Sequence, residues 1–185
     1  MVGSATITTV ASMKASDEPR IVAASVRRLR PSDPGVSTSG GYAARVIRGA
    51  FAGVAAAAVW AAAEPAAGGL FRTPEGYSDV RLLGALAARG GPRWRQAGLG
   101  AHLVNGAVFG TVFAAVGGRG WKQGLAAAQV ENLALWPGMA VLDRVHPDRR
   151  SGAWPPLVTN GRVFAYEAAV HALFGVVLGA LAPRD

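Results

Sequence analysis

The chain has 185 residues, of which 51% are apolar and 16% are charged, whereas a typical soluble domain has about 25% charged residues. Its net charge is +8, but the basic residues flank apolar stretches and form no basic helix face, so anionic lipid headgroups are expected as partners and nucleic acid is not. The absence of cysteine excludes disulfides, a thiolate nucleophile and a cysteine-based zinc site.

Residues 1–44 are rich in Ser, Thr, Pro and Gly and carry charges of both signs without periodic apolar residues. This composition predicts a disordered basic tail. A secretory signal needs an apolar run of about 7 to 15 residues, and Lys14 interrupts the only early candidate. No signal peptide is therefore expected.

Four apolar segments follow, at residues 46–64, 96–117, 123–142 and 163–182. The last three are about 20 residues long, which is the length that crosses a hydrocarbon core, and their only charged residues are Glu131 and Glu167. The first is short because Arg48 and Glu64 bound it, so the Arg48 side chain must reach the surface; a soluble alanine-rich helix is the alternative. The pattern predicts an all-α, four-helix transmembrane bundle over residues 45–182.

The connections between these segments carry two local signals. Ser78-Asp79 predicts the start of a short helix over residues 78–89 with leucines on one side. An interfacial helix in the headgroup region and a surface helix packed across the end of the bundle fit this pattern equally well. Trp136-Pro137 is expected to kink the third segment near its end.

The second and fourth segments share a pattern in which a histidine is followed by two glycines at four-residue intervals. Four-residue steps advance about 40° beyond a full helical turn, so the three residues lie on one narrow face. Small residues on one face predict close packing against another helix. The residues are His102, Gly106 and Gly110 in the second segment and His171, Gly175 and Gly179 in the fourth.

The repeated pattern extends to the first and third segments. Gly49 and Gly53 open the first, and Gly120 and Gly124 open the third 71 residues later, while the two histidines are 69 residues apart. This spacing predicts two tandem helix pairs with the same orientation in the membrane. Chance similarity between glycine- and alanine-rich helices is the alternative.

Seven polar residues lie within the predicted spans or at their ends. An ionisable group inside a span costs about 2.5 to 3.5 kcal/mol, which favours mutual pairing or a water-filled cavity. The repeat would bring the residues of spans one, two and four to one end of the bundle. The candidates are Glu64, His102, Asn105, Glu131, Asn132, Glu167 and His171.

Three interpretations of this polar cluster remain: structural pairing that fixes helix register, a proton-linked or small-ligand pathway, and a metal site. Di-metal bundles use Glu-x-x-His, whereas Glu167 and His171 are four residues apart and have no second copy, so no metal and no cofactor is expected. We favour the pathway, with the structural role as alternative, because Ser, Thr or Asn would fix register at lower cost.

Enzyme signatures are missing from the sequence. It contains no Gly-x-Ser-x-Gly, no His-Glu-x-x-His, no Walker loop and no dinucleotide fingerprint. No catalytic residues are therefore predicted.

The His-x3-Gly-x3-Gly spans, Trp136-Pro137 and the Asp143-Arg-Val-His146-Pro segment resemble the small uncharacterised four-helix integral membrane proteins of high-GC actinobacteria. The resemblance covers residues 45–182 and implies a multi-pass protein of the bacterial inner (plasma) membrane, but it brings no activity and no site residues. A basic tail without a signal peptide favours cytoplasmic termini. The expected partners are the bilayer and, as a further option, a second copy of the chain in a homo-oligomer.

Overall fold

The computed structural model describes residues 38–89 and 91–182, and every regular element in this part of the chain is helical. The predicted tail over residues 1–37 lies outside the described residues. In chain order the elements are α1 (Thr38–Phe71), α2 (Asp79–Ala87), α3 (Trp94–Ala115), α4 (Gly120–Leu135), a 3-10 turn (Trp136–Gly138), α5 (Met139–Val145), α6 (Pro147–Arg150) and α7 (Gly161–Leu181).

Three of the described helices, α1, α3 and α7, are long and apolar enough to cross a membrane. Some of their glycines, such as Gly53, Gly106 and Gly175, are buried at contacts with neighbouring helices, while many large apolar side chains remain exposed. Every fourth residue along α3 and at its C-terminal cap is a valine that is more than half exposed: Val104, Val108, Val112 and Val116.

Helix α1 is longer at both ends than the sequence predicts. It begins at Thr38, so residues 38–44 are helical and do not belong to the tail, because extending an existing helix avoids the cost of nucleation. It also continues through Pro65 to Phe71. A proline removes one backbone donor and bends a helix, but it does not have to end it. Glu64 therefore lies inside α1 and not at the end of a span.

The third predicted span, residues 123–142, is not one continuous helix. Helix α4 ends at Leu135, the Trp136–Gly138 turn follows, and α5 starts at Met139. Pro137 has no N–H, and its ring clashes with the carbonyl four residues earlier, so the α-helical ladder is interrupted there. The predicted kink is confirmed, and α4 by itself, at 16 residues, is shorter than a membrane span.

The main helices pack in pairs through glycine. Helix α1 packs against α3, α4 packs against α7, and α1 also contacts α7. At both glycine interfaces the backbones are so close that a Cβ atom would fall on the partner's backbone. Each predicted glycine stripe therefore faces its neighbouring helix, and the two stripes do not face each other. Gly106 and Gly110 oppose Gly49 and Gly53, and Gly175 and Gly179 oppose Gly124 and Gly120.

Helix α2 begins where the sequence predicts and packs against α3. The Ser78 hydroxyl accepts a hydrogen bond from the Arg81 backbone N–H (3.1 Å) and caps the helix. Gly84 lies directly on Gly98 of α3. The predicted short helix is therefore present and packs against α3, and its place in the headgroup region stays a prediction.

Asp143 organises the connection between α5 and α7. Its carboxylate accepts hydrogen bonds from the backbone N–H groups of Leu157 (2.7 Å) and Val158 (3.1 Å) and from Arg149 Nε (2.8 Å). Together these hydrogen bonds hold the connection against the helix bundle.

Two contacts join this connection to the one between α1 and α3. Arg81 makes a two-pronged ion pair with Asp148 (2.7 and 2.8 Å), and the hydrogen bond from Arg81 lowers the pKa of the Asp148 carboxyl. The Trp154 indole N–H donates to the Glu75 carbonyl (3.1 Å). Both connections therefore cover the same end of the bundle.

Candidate functional site

Trp60 of α1 contacts both of the histidines singled out from the sequence. Its ring centroid lies 4.9 Å from that of His102 and 4.5 Å from that of His171. Both imidazoles are buried, and each bonds to a backbone carbonyl: His102 Nε2 to Ala57 (3.2 Å) and His171 Nδ1 to Glu167 (2.7 Å). A carbonyl can only accept, so these two nitrogens carry protons. The histidines are thus held in defined orientations, and both contact the same indole.

Three carboxyl groups meet beside Trp60, and we call Glu64, Asp79 and Glu167 the carboxyl cluster. All three are buried, and Asp79 interacts with both glutamates. Glu64 Oε1 accepts from the backbone N–H groups of Asp79 (2.8 Å) and Val80 (3.3 Å), at the start of α2. Asp79 Oδ2 accepts from the Trp60 indole N–H (3.0 Å). Helices α1, α2 and α7 each contribute one carboxyl group to the cluster.

Tyr77 and His171 complete the surroundings of Glu167. The Tyr77 hydroxyl donates to Glu167 Oε1 (2.5 Å), and His171 Nδ1 lies 3.7 Å from Glu167 Oε2. Burial, together with the nearby Glu167 carboxyl, raises the pKa of the Tyr77 phenol. The phenol therefore stays protonated and remains a donor to Glu167 at physiological pH.

The electrostatic balance of the cluster favours bound protons. Among the described residues its hydrogen-bond partners are backbone N–H groups, the Ser78 hydroxyl, an indole, a phenol and the other carboxyls, with no lysine or arginine. Burial raises the pKa of Asp79 well above its usual value, and the charges of Glu167 and Glu64 raise it further. Three buried carboxylates cannot all be ionised at such short range, so the cluster shares protons.

A cavity of about 370 Å³, the central cavity, opens beside the cluster. Asp79 and Glu167 line it, as do both histidines. Asn132 lies in its wall with only 3% of its surface exposed, and its amide nitrogen has no hydrogen-bond partner. The remaining lining residues are Trp60, Leu82, Leu83, Asn105, Glu131, Leu135, Trp136, Gly138, Met139, Val141 and Leu142.

A second cavity is lined by the end of α1 and by the connection between α1 and α2. Glu64, Tyr77 and Ser78 line this loop-side cavity. Glu64 interacts with Asp79, and Tyr77 donates a hydrogen bond to Glu167. Asp79 and Glu167 in turn line the central cavity. The carboxyl cluster therefore connects two cavities through directly interacting side chains.

Six of the seven polar residues singled out from the sequence line the central cavity, and Glu64 lines the loop-side cavity. Asn105 and Glu131 interact with each other across α3 and α4. Sequence reasoning missed Trp60, Tyr77 and Asp79. Asp79 follows the helix-capping Ser78 and was explained by that local role, and neither aromatic residue belongs to a polar pattern that would single it out.

The glycines and the acidic groups have separate places in the structure. Gly106, Gly110, Gly175 and Gly179 lie at helix interfaces and do not line the central cavity. Within the described ranges, no group of three or more histidine, aspartate and glutamate side chains has a geometry that could hold a metal ion.

No known family model, curated protein or solved structure matches the chain. The resemblance to actinobacterial membrane proteins therefore stays a prediction. The function has to be inferred from the site itself.

Proposed function

We propose that the chain is a multi-pass protein of a bacterial plasma membrane, with four spans formed by α1, α3, α4 continued through α5, and α7. The outward apolar faces of the long helices support this location. The glycine interfaces support two tandem helix pairs, since the glycines of α1 and α4 are 71 residues apart and those of α3 and α7 are 69 apart.

The two helix pairs differ in whether the first helix continues past its proline. The helix that breaks there leaves space for the central cavity. Helix α1 continues through Pro65, whereas the helix that would correspond to it breaks at Pro137. Interrupted helices in membrane proteins commonly line binding sites. The broken region supplies five lining residues of the central cavity: Trp136, Gly138, Met139, Val141 and Leu142.

Single-cysteine labelling tests the topology cleanly because the natural sequence has no cysteine. We expect Gly41→Cys and Arg119→Cys to react with an impermeant maleimide from one side of the membrane, and Glu75→Cys and Ser151→Cys from the other. Cytoplasmic termini predict that the second pair labels in intact cells. Labelling of Arg119→Cys and Ser151→Cys from the same side would show that α4 and α5 do not cross the membrane.

Within the membrane domain, the carboxyl cluster serves as a proton-binding station in a proton-linked pathway. The observation that carries this role is that Glu64, Asp79 and Glu167 are buried, interact directly, and in the described part of the chain form no hydrogen bond with a lysine or an arginine. Such groups hold protons that a change in pH or a bound ligand can release. The flanking cavities supply a route on both sides.

A purely structural role is the second candidate, and one observation favours it for Glu64. This side chain accepts from two backbone N–H groups at the start of α2, which is what a helix-capping residue does. The bonds from the histidines to backbone carbonyls also stabilise the helices. These contacts do not account for Asp79 and Glu167, because burying two more acidic groups next to Glu64 destabilises the fold.

Proton flux through the full chain in liposomes separates the two candidates. A potassium gradient with valinomycin would drive protons, and a pH-sensitive dye would report them. We expect Asp79→Asn and His171→Gln to reduce the flux at least tenfold with an unchanged gel-filtration profile, and Arg150→Gln, at an exposed site, to leave it unchanged. Loss of the folded protein without a selective loss of flux would support the structural role.

A further inference from the structure

We infer that the central cavity binds a small organic cation, a protonated amine with an apolar body, and that binding releases a proton from the carboxyl cluster. The inference rests on the proposed function, because it uses the same shared protons. It adds the chemical class of the ligand, which the proton-linked role leaves open.

The charges around the cavity select a cation. Asp79, Glu131 and Glu167 line it, and none of its described lining residues is a lysine or an arginine. Water is partly excluded from such a site, so the potential of the carboxyl groups is only weakly screened. An anionic ligand would be repelled, and a cation would relieve the repulsion between the carboxyls.

The rest of the wall suits an apolar body. Its aliphatic side chains come from α2, α4 and α5, and two indoles, Trp60 and Trp136, lie among them. Indole rings attract organic cations through their π faces, and a mostly apolar wall with few polar groups is typical of small-molecule sites. The volume of about 370 Å³ lies within the usual range for such sites.

Asn132 provides an independent indication that the cavity has an occupant. Its amide nitrogen is buried in the cavity wall and has no hydrogen-bond partner in the described structure. A buried donor without an acceptor is destabilising, and native proteins rarely leave one unpaired. A ligand oxygen in the cavity would satisfy it. The best-fitting ligand therefore carries an ammonium group, an apolar body and a hydrogen-bond acceptor.

Proton release follows from the surroundings of Asp79. Glu64 faces it from α1, Glu167 and Tyr166 from α7 and Tyr77 from the connection, and His102 and His171 both contact Trp60. When an ammonium ion enters, its positive charge replaces that of a shared proton. The cluster binds the ammonium ion and releases one proton to water. Charge is conserved, and ammonium and proton compete for the same site.

Calorimetry on the full chain in lipid nanodiscs tests the ligand class. The probes are 2-(4-methoxyphenyl)ethylamine, the neutral 2-(4-methoxyphenyl)ethanol and the anionic 3-(4-methoxyphenyl)propanoate, which share one body. We expect the amine to bind at least tenfold more tightly than the alcohol, the carboxylate not to bind, and amine affinity to rise between pH 6 and pH 8. Titrations in buffers of different ionisation enthalpy should show proton release on amine binding.

Two variants outside the carboxyl cluster keep the test independent of its folding role. Glu131→Gln and Asn132→Ala should each weaken amine binding at least tenfold, Glu131→Gln should leave alcohol binding unchanged, and Arg150→Gln should change neither.

Equal binding of amine and alcohol would overturn the inference in favour of a neutral apolar ligand. Absence of amine binding with proton flux intact would overturn it and leave the proton pathway standing. Amine binding without proton release would overturn the exchange.

Discussion

Alanine at Gly110 or Gly175 is expected to destabilise the folded protein by about 1 to 3 kcal/mol, and leucine at either position to abolish the folded form. A Cβ atom at Gly110 would fall on the carbonyl oxygen of Gly49, and one at Gly175 on that of Gly124. A backbone carbonyl cannot rotate away as a side chain can. The helix pair would have to separate, and the dense backbone contact that holds membrane helices together would be lost.

Each of these helices also contains a matched control. Gly100 in α3 and Gly161 in α7 are exposed, and a Cβ atom there would meet nothing within 4 Å. Alanine at these positions should leave stability unchanged or slightly improved, because alanine favours helix more than glycine does. Unfolding in detergent, followed by circular dichroism, measures the difference. If Gly110→Ala and Gly100→Ala unfold alike, the glycine faces are not tight interfaces.

Replacing Trp60 by alanine is expected to lower the free energy of unfolding by about 3 to 5 kcal/mol, as for other buried tryptophans. Its ring contacts both histidines and Phe174, and its N–H donates to Asp79. Removing it would leave a void at the centre of the site and take a donor from a buried carboxyl. Trp121→Ala, at a side chain that is 49% exposed, should change stability far less.

Trp60→Phe separates packing from hydrogen bonding. Phenylalanine keeps an aromatic ring in contact with His102 and His171 but removes the N–H that donates to Asp79. We expect an intermediate loss of stability. We also expect the cluster to keep its protons up to a higher pH, because a donor that favours the charged carboxylate is gone. An unchanged proton-release profile in this variant would show that Asp79 does not titrate.

Much of the site was predictable where its geometry is local. Glu167 and His171 are four residues apart on one helix, so helical periodicity alone places them on one face. The same periodicity places His102 above Gly106 and Gly110. Which helix each face meets was not predictable, because many glycine-rich faces would fit one another equally well.

The most important omission from the sequence-based site involves contacts between distant segments. Tyr77 meets Glu167 across 90 positions of the chain, and Asp79 reaches Trp60 across 19. The fold brings them together because α2 packs against α3 through Gly84 and Gly98, and the start of α2 contacts Trp60 and Glu64 of α1. No local pattern encodes that packing.

Sequence alone determined the apolar helices, their glycine faces, the start of α2 at Ser78 and the break at Pro137, because each depends on the chemistry of neighbouring residues within one or two turns. Only the tertiary structure decided that α1 continues through Pro65 and that Asp79 joins Glu64 and Glu167. The sequence around a carboxyl group does not show which distant residues will surround it. Its protonation depends on burial and on the charges that packing brings close to it.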